Sequence, residues 1–216
     1  MFYETLENKH GLRHDPFKAL IVPRPVGWIT TLSNDGICNI APYSFFNAIS
    51  EKPHYVVIGS AGRKDTLRNL EETGEFTCSL ATYDLRDQMN VTSAPFPAGV
   101  DEYPVASLTA TASTMVKPPR VKDSPAAFEC KYWRTIDLPA AVPGGRPGNA
   151  AIIGLVVGIH INDAFINDGM VDTAGMAPIA RMGYMDYSVV TPETTFTINR
   201  PEVDQDGNLV SQKAAE

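Results

Sequence analysis

The sequence has few cysteines and an excess of acidic residues, and both features exclude classes of protein. Cys38, Cys78 and Cys130 are an odd number and form no CxxC pair, so neither a disulfide framework nor a zinc site is predicted. We interpret them as buried small apolar residues. The formal charge of -7 argues against a nucleic-acid partner, because binding to a phosphate backbone needs clustered Lys and Arg.

Long apolar segments are also missing. No window reaches the about 18 uninterrupted apolar residues that a membrane helix needs, and the start MFYETLENKHGL has charges where a signal peptide is apolar. We therefore expect a soluble, cytoplasmic protein without a membrane partner. An apolar fraction of 44% over 216 residues is enough for one sizeable core.

Short runs of strand-forming residues recur along the chain and are separated by Gly, Pro and Asp turns. This pattern is typical of a barrel or sandwich and not of a doubly wound sheet, so the predicted fold class is all-β with a few short helices. The predicted strands are 26–33, 36–42, 54–60, 75–81, 104–113, 126–138, 150–161 and 185–191.

Two helices are predicted. The first follows Asp65, an N-cap type of residue, and has Leu67 and Leu70 on one face and Gly74 at its C-terminal end. The second is shorter and starts at Asp84. Residues 92–104, TSAPFPAGVDEYP, are rich in proline and glycine and predict a surface loop of the kind that forms a lid or a rim.

The first two strands form a predicted hairpin, which turns through Asn34, Asp35 and Gly36. By alternation, Val26, Trp28, Thr30 and Leu32 share one face of the first strand, and Gly27, Ile29 and Thr31 share the other.

A turn after the strand HYVVIGS predicts an anion site. It places Ser60, Arg63, Lys64, Asp65 and Thr66 at the start of a helix, where exposed N–H groups and the helix dipole favour a phosphate. Solvated Lys and Arg side chains are the alternative. The aromatic and hydroxyl residues of the hairpin are one strand away, so a planar ligand that carries a phosphate could use both regions. Neither GxGxxG nor GxxxxGK[ST] is present.

The sequence resembles the flavin reductase-like, FMN-binding split-barrel family. The resemblance runs from about residue 16 to 190 and is carried by segments 23–50, 59–80, 118–130, 152–161 and 178–190. It implies a six-stranded antiparallel Greek-key split β-barrel, FMN as cofactor and a homodimer that holds flavin near the subunit interface. Residues 1–15 would be an N-terminal extension and 191–216 a C-terminal tail, with Phe17, Leu20 and Val22 as docking residues.

The resemblance also assigns cofactor-binding residues. Several have alternatives: Trp28 and Phe46 as core aromatics, Thr30 and Thr31 as ordinary strand residues, Asn47 as a turn former, Asp65 as a helix cap and Arg181 as the partner of a carboxylate. His160 has either a structural role or a contact with flavin or nicotinamide. The implied cofactor-binding set is Trp28, Ile29, Thr30, Thr31, Ser44, Phe46, Asn47, Ser60, Arg63, Lys64, Thr66 and Arg181.

The implied function is that of an NAD(P)H-dependent flavin reductase. NADH or NADPH would deliver hydride to flavin N5, residues 92–104 would border the entrance, and reduced flavin or electrons would pass to an acceptor such as a partner monooxygenase. No catalytic acid or nucleophile is required, because the cofactor supplies the chemistry. The alternatives are a flavin-holding electron carrier without nicotinamide turnover and, less favoured, a barrel that binds another ligand such as haem.

Overall fold

The computed structural model describes residues 1–140 and 148–210. Its helices are α1 (Phe17–Leu20), α2 (Asp65–Thr73), α3 (Arg86–Val91) and α4 (Glu102–Val105), with 3-10 turns at Asp163–Phe165 and Pro192–Thr194. Its strands are β1 (Arg24–Pro25), β2 (Gly27–Leu32), β3 (Cys38–Tyr43), β4 (Phe46–Glu51), β5 (His54–Ala61), β6 (Glu75–Leu80), β7 (Ala110–Thr111), β8 (Arg120–Val121), β9 (Ala126–Asp137), β10 (Asn149–Ile161), β11 (Ile166–Asn167), β12 (Met170–Val171), β13 (Ile179–Arg181), β14 (Tyr187–Val189), β15 (Glu202–Val203) and β16 (Leu209–Val210).

The main sheet is antiparallel throughout and has the strand order β3-β2-β6-β9-β10-β5-β4. The edge strands β3 and β4 are joined by only Ser44 and Phe45, so the sheet must curl until its two edges lie close together. The N–H of Gly59 in β5 donates to the carbonyl of Phe45 at 2.6 Å, which extends the β4–β5 pairing into this connection. The split barrel is confirmed; its sheet has seven strands in the described residues, one more than the resemblance implied.

Strand β2 is buried on both faces, which explains its mixed composition. Ile29 packs into an inner cluster with Leu67 and Leu70 of α2, while Trp28 packs into an outer cluster with Met89 of α3. The predicted alternation of this strand is therefore confirmed. Each face meets a helix, so neither face is left to solvent.

The first predicted helix is confirmed as α2, but the prediction that Asp65 caps it is wrong. The helix begins at Asp65 itself after Lys64, and no side chain of the described residues caps it. The Asp65 carboxylate instead pairs with Arg68 at 2.9 Å. Gly74 ends the helix with a φ of 73°, a conformation that glycine adopts without strain, and its N–H donates to the Leu70 carbonyl.

Three further differences from the predictions concern a strand, a helix and an edge of the main sheet. The predicted strand 104–113 is wrong, because the Asp101 carboxylate accepts the Tyr103 N–H at 3.0 Å and starts α4; only Ala110–Thr111 of that stretch is a strand. Helix α3 begins at Arg86 and not at Asp84. Strand β4, Phe46–Glu51, was not predicted.

The first short helix, α1, docks differently from the prediction. Phe17 and Leu20 are exposed, so their assignment as docking residues is wrong. The helix is held instead by Arg24, which donates to the carbonyls of Lys18 and Ile21, and by the close approach of Ala19 to Gly183.

Cys78 and Cys130 are buried as predicted, and Cys38 is half-buried. All three are free thiols. No helix in the described ranges is long and apolar enough to cross a membrane.

Candidate functional site

A cleft of about 530 Å³ opens where the two edges of the sheet meet. Its walls come from the end of β3 and the β3–β4 connection, the end of β5, the start of α2, and the segment that follows α3. Ligand pockets of small molecules and cofactors commonly have about 300 to 1,000 Å³. The lining residues used below are Lys18, Asn39, Pro42, Tyr43, Ser44, Phe45, Lys64, Asp65, Thr66, Thr92, Ser93, Phe96 and Glu102.

The start of α2 gives the cleft an anion-binding wall. The first N–H groups of a helix have no partner within the helix, and no side chain in the described part of the chain caps them here. Lys64, Asp65 and Thr66 of this helix start line the cleft. The pairing of Asp65 with Arg68 offsets the carboxylate at the start of the helix. The wall therefore presents helix amides and one ammonium group to the cleft.

A buried polar network fixes that wall to the sheet. The amide of Asn39 donates to Thr66 Oγ1 at 2.9 Å and to Thr31 Oγ1 at 3.3 Å. Thr31 also accepts from Asn69 of α2 at 3.1 Å. Since Thr31 and Asn39 are directly opposite in the β2–β3 register, the hairpin and the helix share one set of hydrogen bonds. Thr31 thus lies behind the cleft and holds Asn39 within it.

Tyr43 presents a neutral hydroxyl next to this network. Burial raises the pKa of Tyr43, and hydrogen bonds from the Thr66 and Ser60 side chains oppose that shift without cancelling it. Ser60 is itself buried, and its Oγ donates to the carbonyl of Gly62 at 2.8 Å. Ser60 is therefore buried behind the cleft and is not among its lining residues.

The opposite wall, residues 92–98, is fastened to the barrel. Trp28 Nε1 donates to Thr92 Oγ1 at 2.9 Å, and Thr30 Oγ1 shares a hydrogen bond of 2.9 Å with the hydroxyl of Tyr103. The carboxyl of Glu102 accepts the Ile40 N–H at 3.0 Å. Residues 92–104 thus form a rim that is tied to β2 and β3 at its two ends, by Thr92 and by Glu102 and Tyr103.

Glu102 is the second acidic residue in the cleft. Burial raises its pKa, the hydrogen bond from the Ile40 amide opposes that shift, and the nearby carboxylates of Asp101 and Asp65 add to it. The cleft therefore has two acidic residues in its lining, of which Asp65 pairs with Arg68 and Glu102 accepts the Ile40 N–H.

The structure brings together only part of the predicted set. Ser44, Lys64 and Thr66 line the cleft, and Arg181 lines a smaller cavity that adjoins it. Trp28, Thr30, Thr31 and Ser60 are buried behind the walls. Ile29 and Phe46 pack in the inner core, and a Cβ at Gly27 would lie 2.6 Å from the Phe46 ring.

Two predicted residues lie away from the cleft. Arg63 points to the far side of α2, where it pairs with Glu71 and is 3.7 Å from the Asp137 carboxylate. Asn47 is exposed on β4, and its Oδ1 accepts the N–H of Ala48. Neither residue is among those that line the cleft.

Sequence reasoning missed the apolar and amide residues of the cleft, namely Asn39, Tyr43, Phe45 and Phe96. Phe45 is 47% exposed beside the cleft, whereas its neighbour Phe46 is in the core. The available signal was the alternation of side chains through YSFF, which sends adjacent residues to opposite sides. The alternation can be used only where a strand has been recognised, and the strand β4 was not predicted.

His160 has a structural contact. Its Nε2 hydrogen-bonds the carboxylate of Glu129, a fully buried residue that also accepts the N–H groups of Thr114, Met115 and Val116. His160 is not among the residues that line the cleft.

Comparison with known proteins identifies a family and a relative. The family described as flavin reductase like domain matches residues 19–177. BH2278 of Halalkalibacterium halodurans is 34% identical over 202 residues, which are 89% of this chain and 94% of that protein.

Two solved structures have the same fold. Nitrilotriacetate monooxygenase component B from Bacillus cereus has a TM-score of 0.80 and 30% identity, and the match covers 92% of this chain and 98% of that one. The 2-nitrobenzoate 2-nitroreductase NbaA of Pseudomonas fluorescens has a TM-score of 0.80 and 25% identity, covering 92% and 96%. The chain belongs to the flavin reductase-like family.

Proposed function

We propose that this protein is an NAD(P)H-dependent flavin reductase that holds FMN in the 530 Å³ cleft. The observation that carries the proposal is the uncapped start of α2 beside Lys64, at one end of a cleft lined by Phe45 and Phe96. Helix amides and an ammonium group suit a phosphate, and aromatic surface suits a flat ring system.

The residues present fit FMN. Lys64 and the amides of the first turn of α2 would hold the phosphate, and Thr66 would add a hydroxyl. Asn39 and Ser44 offer hydrogen-bonding groups along the cleft, and Phe45, Pro42 and Phe96 offer apolar surface to the ring.

Bound FMN would supply the redox chemistry, accepting a hydride equivalent from a reduced nicotinamide and passing electrons to an acceptor. The protein's own residues then have to bind and orient. The rim formed by residues 92–104 borders the cleft, and its hydrogen bonds to Trp28, Thr30 and Ile40 keep it in place. No side chain in this proposal has to act as an acid, a base or a nucleophile.

An oxygenase is the kind of acceptor that we propose. The basis is the similarity to nitrilotriacetate monooxygenase component B, whose name describes one component of an oxygenase system. Reduced flavin or its electrons would pass to such a partner.

Anaerobic stopped-flow spectroscopy tests the proposal. The FMN-loaded protein is mixed with NADH or NADPH, and the loss of oxidised-flavin absorbance is compared with that of free FMN. We expect faster bleaching in the presence of the protein. Tight FMN binding without any acceleration would contradict the reductase and favour a flavin-holding electron carrier.

A further inference from the structure

A second, smaller cavity of about 200 Å³ adjoins the cleft and is strongly cationic. The two share Lys18, Pro42, Ser44 and Ser93 in their linings, so they lie side by side. Arg24 and Arg181 lie in the smaller cavity, together with the hydroxyls of Tyr184 and Tyr187. No acidic residue of the described chain lines it. A lining of hydrogen-bond donors and positive charges suits an anion.

The two arginines of this cavity face each other without a counterion. Arg24 on β1 and Arg181 on β13 are direct partners in the strand register, an arrangement that is unfavourable for like charges. Within the described ranges, no carboxylate lies within 4 Å of either guanidinium. The pKa of Arg24 is lowered by burial and, to a smaller extent, by the charge of Arg181. A bound anion would relieve this repulsion.

The protein holds both guanidinium groups in fixed positions. Arg24 is only 5% exposed, donates to the carbonyls of Ile21 at 2.6 Å and Met182 at 2.9 Å, and leaves its buried Nε without a partner. Arg181 donates to the Tyr187 hydroxyl at 2.7 Å and lies over that ring at 4.6 Å. Since these contacts order the side chains in advance, a ligand would not have to supply that ordering free energy.

The two neighbouring cavities therefore carry positive charge at different places, with Lys64 of the α2 start in the cleft and the arginine pair of β1 and β13 in the smaller cavity. FMN carries one phosphate group, and the proposed function places it at Lys64. We propose that the Arg24–Arg181 cavity binds the phosphate groups of the second substrate, the reduced nicotinamide nucleotide. This proposal rests on the proposed function, and it assigns the nicotinamide nucleotide a site on this chain.

The experiment compares wild type with Arg181→Gln in the FMN-loaded protein. We expect the KM for NADH to rise by about 10-fold or more, because this is the loss of affinity that follows when one charge-assisted hydrogen bond is removed. With 1-benzyl-1,4-dihydronicotinamide, a hydride donor without phosphate, the KM should not change. Inorganic pyrophosphate should bind wild type in calorimetry, and Arg181→Gln should weaken that binding by a similar factor. The Kd for FMN should stay within about 2-fold.

Arg86→Gln is the matched control, because Arg86 lies over Tyr83 at 4.0 Å and donates to its carbonyl but lines neither the cleft nor the arginine cavity. It should match wild type in every assay. Lys18→Gln, at an exposed residue that lines both spaces, should raise the KM for NADH in the same direction. If Arg181→Gln fails to fold, the KM of Lys18→Gln for NADH tests whether the nicotinamide nucleotide binds in the arginine cavity.

Two results would overturn the proposal. One is an Arg181→Gln variant that binds pyrophosphate and NADH as wild type does. The other is a variant that loses FMN while Lys64→Ala keeps it, which would place the flavin phosphate at the arginines. If neither hydride donor reduces the flavin, the proposed function fails, and the pyrophosphate titration still decides whether the cavity is an anion site.

Discussion

Thr92 connects the core to the candidate cleft through one hydroxyl group. Its Oγ1 accepts from Trp28 Nε1 at 2.9 Å and donates to the Met89 carbonyl at 2.8 Å. Trp28 is completely buried, so its indole N–H has no access to water. The role of Trp28 that follows from these contacts is to hold the cleft wall in place from behind.

Thr92→Val tests this connection. Valine nearly preserves the shape but leaves the buried Trp28 N–H without an acceptor, which costs about 1 to 3 kcal/mol. We expect the free energy of unfolding in urea to fall by that amount. Ser93→Ala, at an exposed neighbour, should change it by less than about 0.5 kcal/mol. Equal stabilities of wild type and Thr92→Val would show that the bond contributes nothing.

The lowered pKa of Glu129 leads us to predict that the stability of the protein depends on pH. Burial would raise the pKa of Glu129, but hydrogen bonds from His160 and from the Thr114 and Met115 amides outweigh it, so the pKa is lowered. A carboxyl whose pKa is lower in the folded state stabilises above its unfolded pKa of about 4.3 and loses that stabilisation as pH falls through the folded value.

Glu129→Gln should therefore be less stable than wild type by roughly 1.5 to 3 kcal/mol at pH 7, the range for hydrogen bonds to a charged group. The difference should shrink as the pH falls below about 4.3. Urea unfolding at several pH values measures it. Glu51→Gln, at an exposed position in β4, is the control and should follow wild type at every pH. A difference that does not vary with pH would argue against the charged form of Glu129.

Lys64 and Arg63 show what the sequence could not resolve at the scale of residues. The segment GSAGRKDT predicts an anion site, and both Arg63 and Lys64 were assigned to it. A sequence alone does not specify the side of α2 to which each of these side chains points. Glu71, eight residues along the chain in α2, and Asp137 at the end of β9 attract Arg63 to the far side. Lys64 lines the cleft. The contact of Arg63 with Asp137 is long-range in the sequence and is set by the fold.

At the scale of elements, strands with a regular pattern were predicted well and irregular ones were not. Strand β2 has apolar residues on both faces and a turn signal after it, and its alternation holds in the structure. Strand β4 reads FNAISE, is mostly exposed and shows no clear period, so its pairing with β5 was missed. Residues 104–113 have strand-forming composition, but the Asp101 cap and Pro104 in the first turn favour a helix.

Gly154 in β10 makes the close packing of the inner sheet testable. A Cβ at this position would lie 2.4 Å from the ring of Phe76, which is fully buried and has little room to move. Gly154→Ala should lower the free energy of unfolding by about 1 to 3 kcal/mol, as overpacked cores do. Gly148→Ala, where a Cβ meets nothing within 4 Å, should have little effect. Thermal and urea unfolding of both variants measure the contrast.

At the scale of the whole molecule, the homodimer remains a prediction, and the surface offers a place for it. Ile49 of β4 and Ile159 of β10 are 53% and 52% exposed and line the same apolar depression. We expect light scattering after gel filtration to give about twice the chain mass of 23.5 kDa. Ile49→Glu should shift the mass toward the monomer, whereas Ile166→Glu, at an exposed residue of β11, should not. A monomeric wild type would contradict the prediction.

The closure of the sheet creates the cleft, because the two residues between β3 and β4 bring its edges together beside the start of α2. Flavin binding at that point is most directly tested by fluorescence titration of FMN into wild type, Lys64→Ala and Arg63→Ala. We predict that Lys64→Ala weakens binding by roughly 1.5 to 3 kcal/mol, the loss of a charge-assisted hydrogen bond, and that Arg63→Ala binds FMN like wild type. An unchanged Kd for Lys64→Ala, or a large loss for Arg63→Ala alone, would place the phosphate elsewhere.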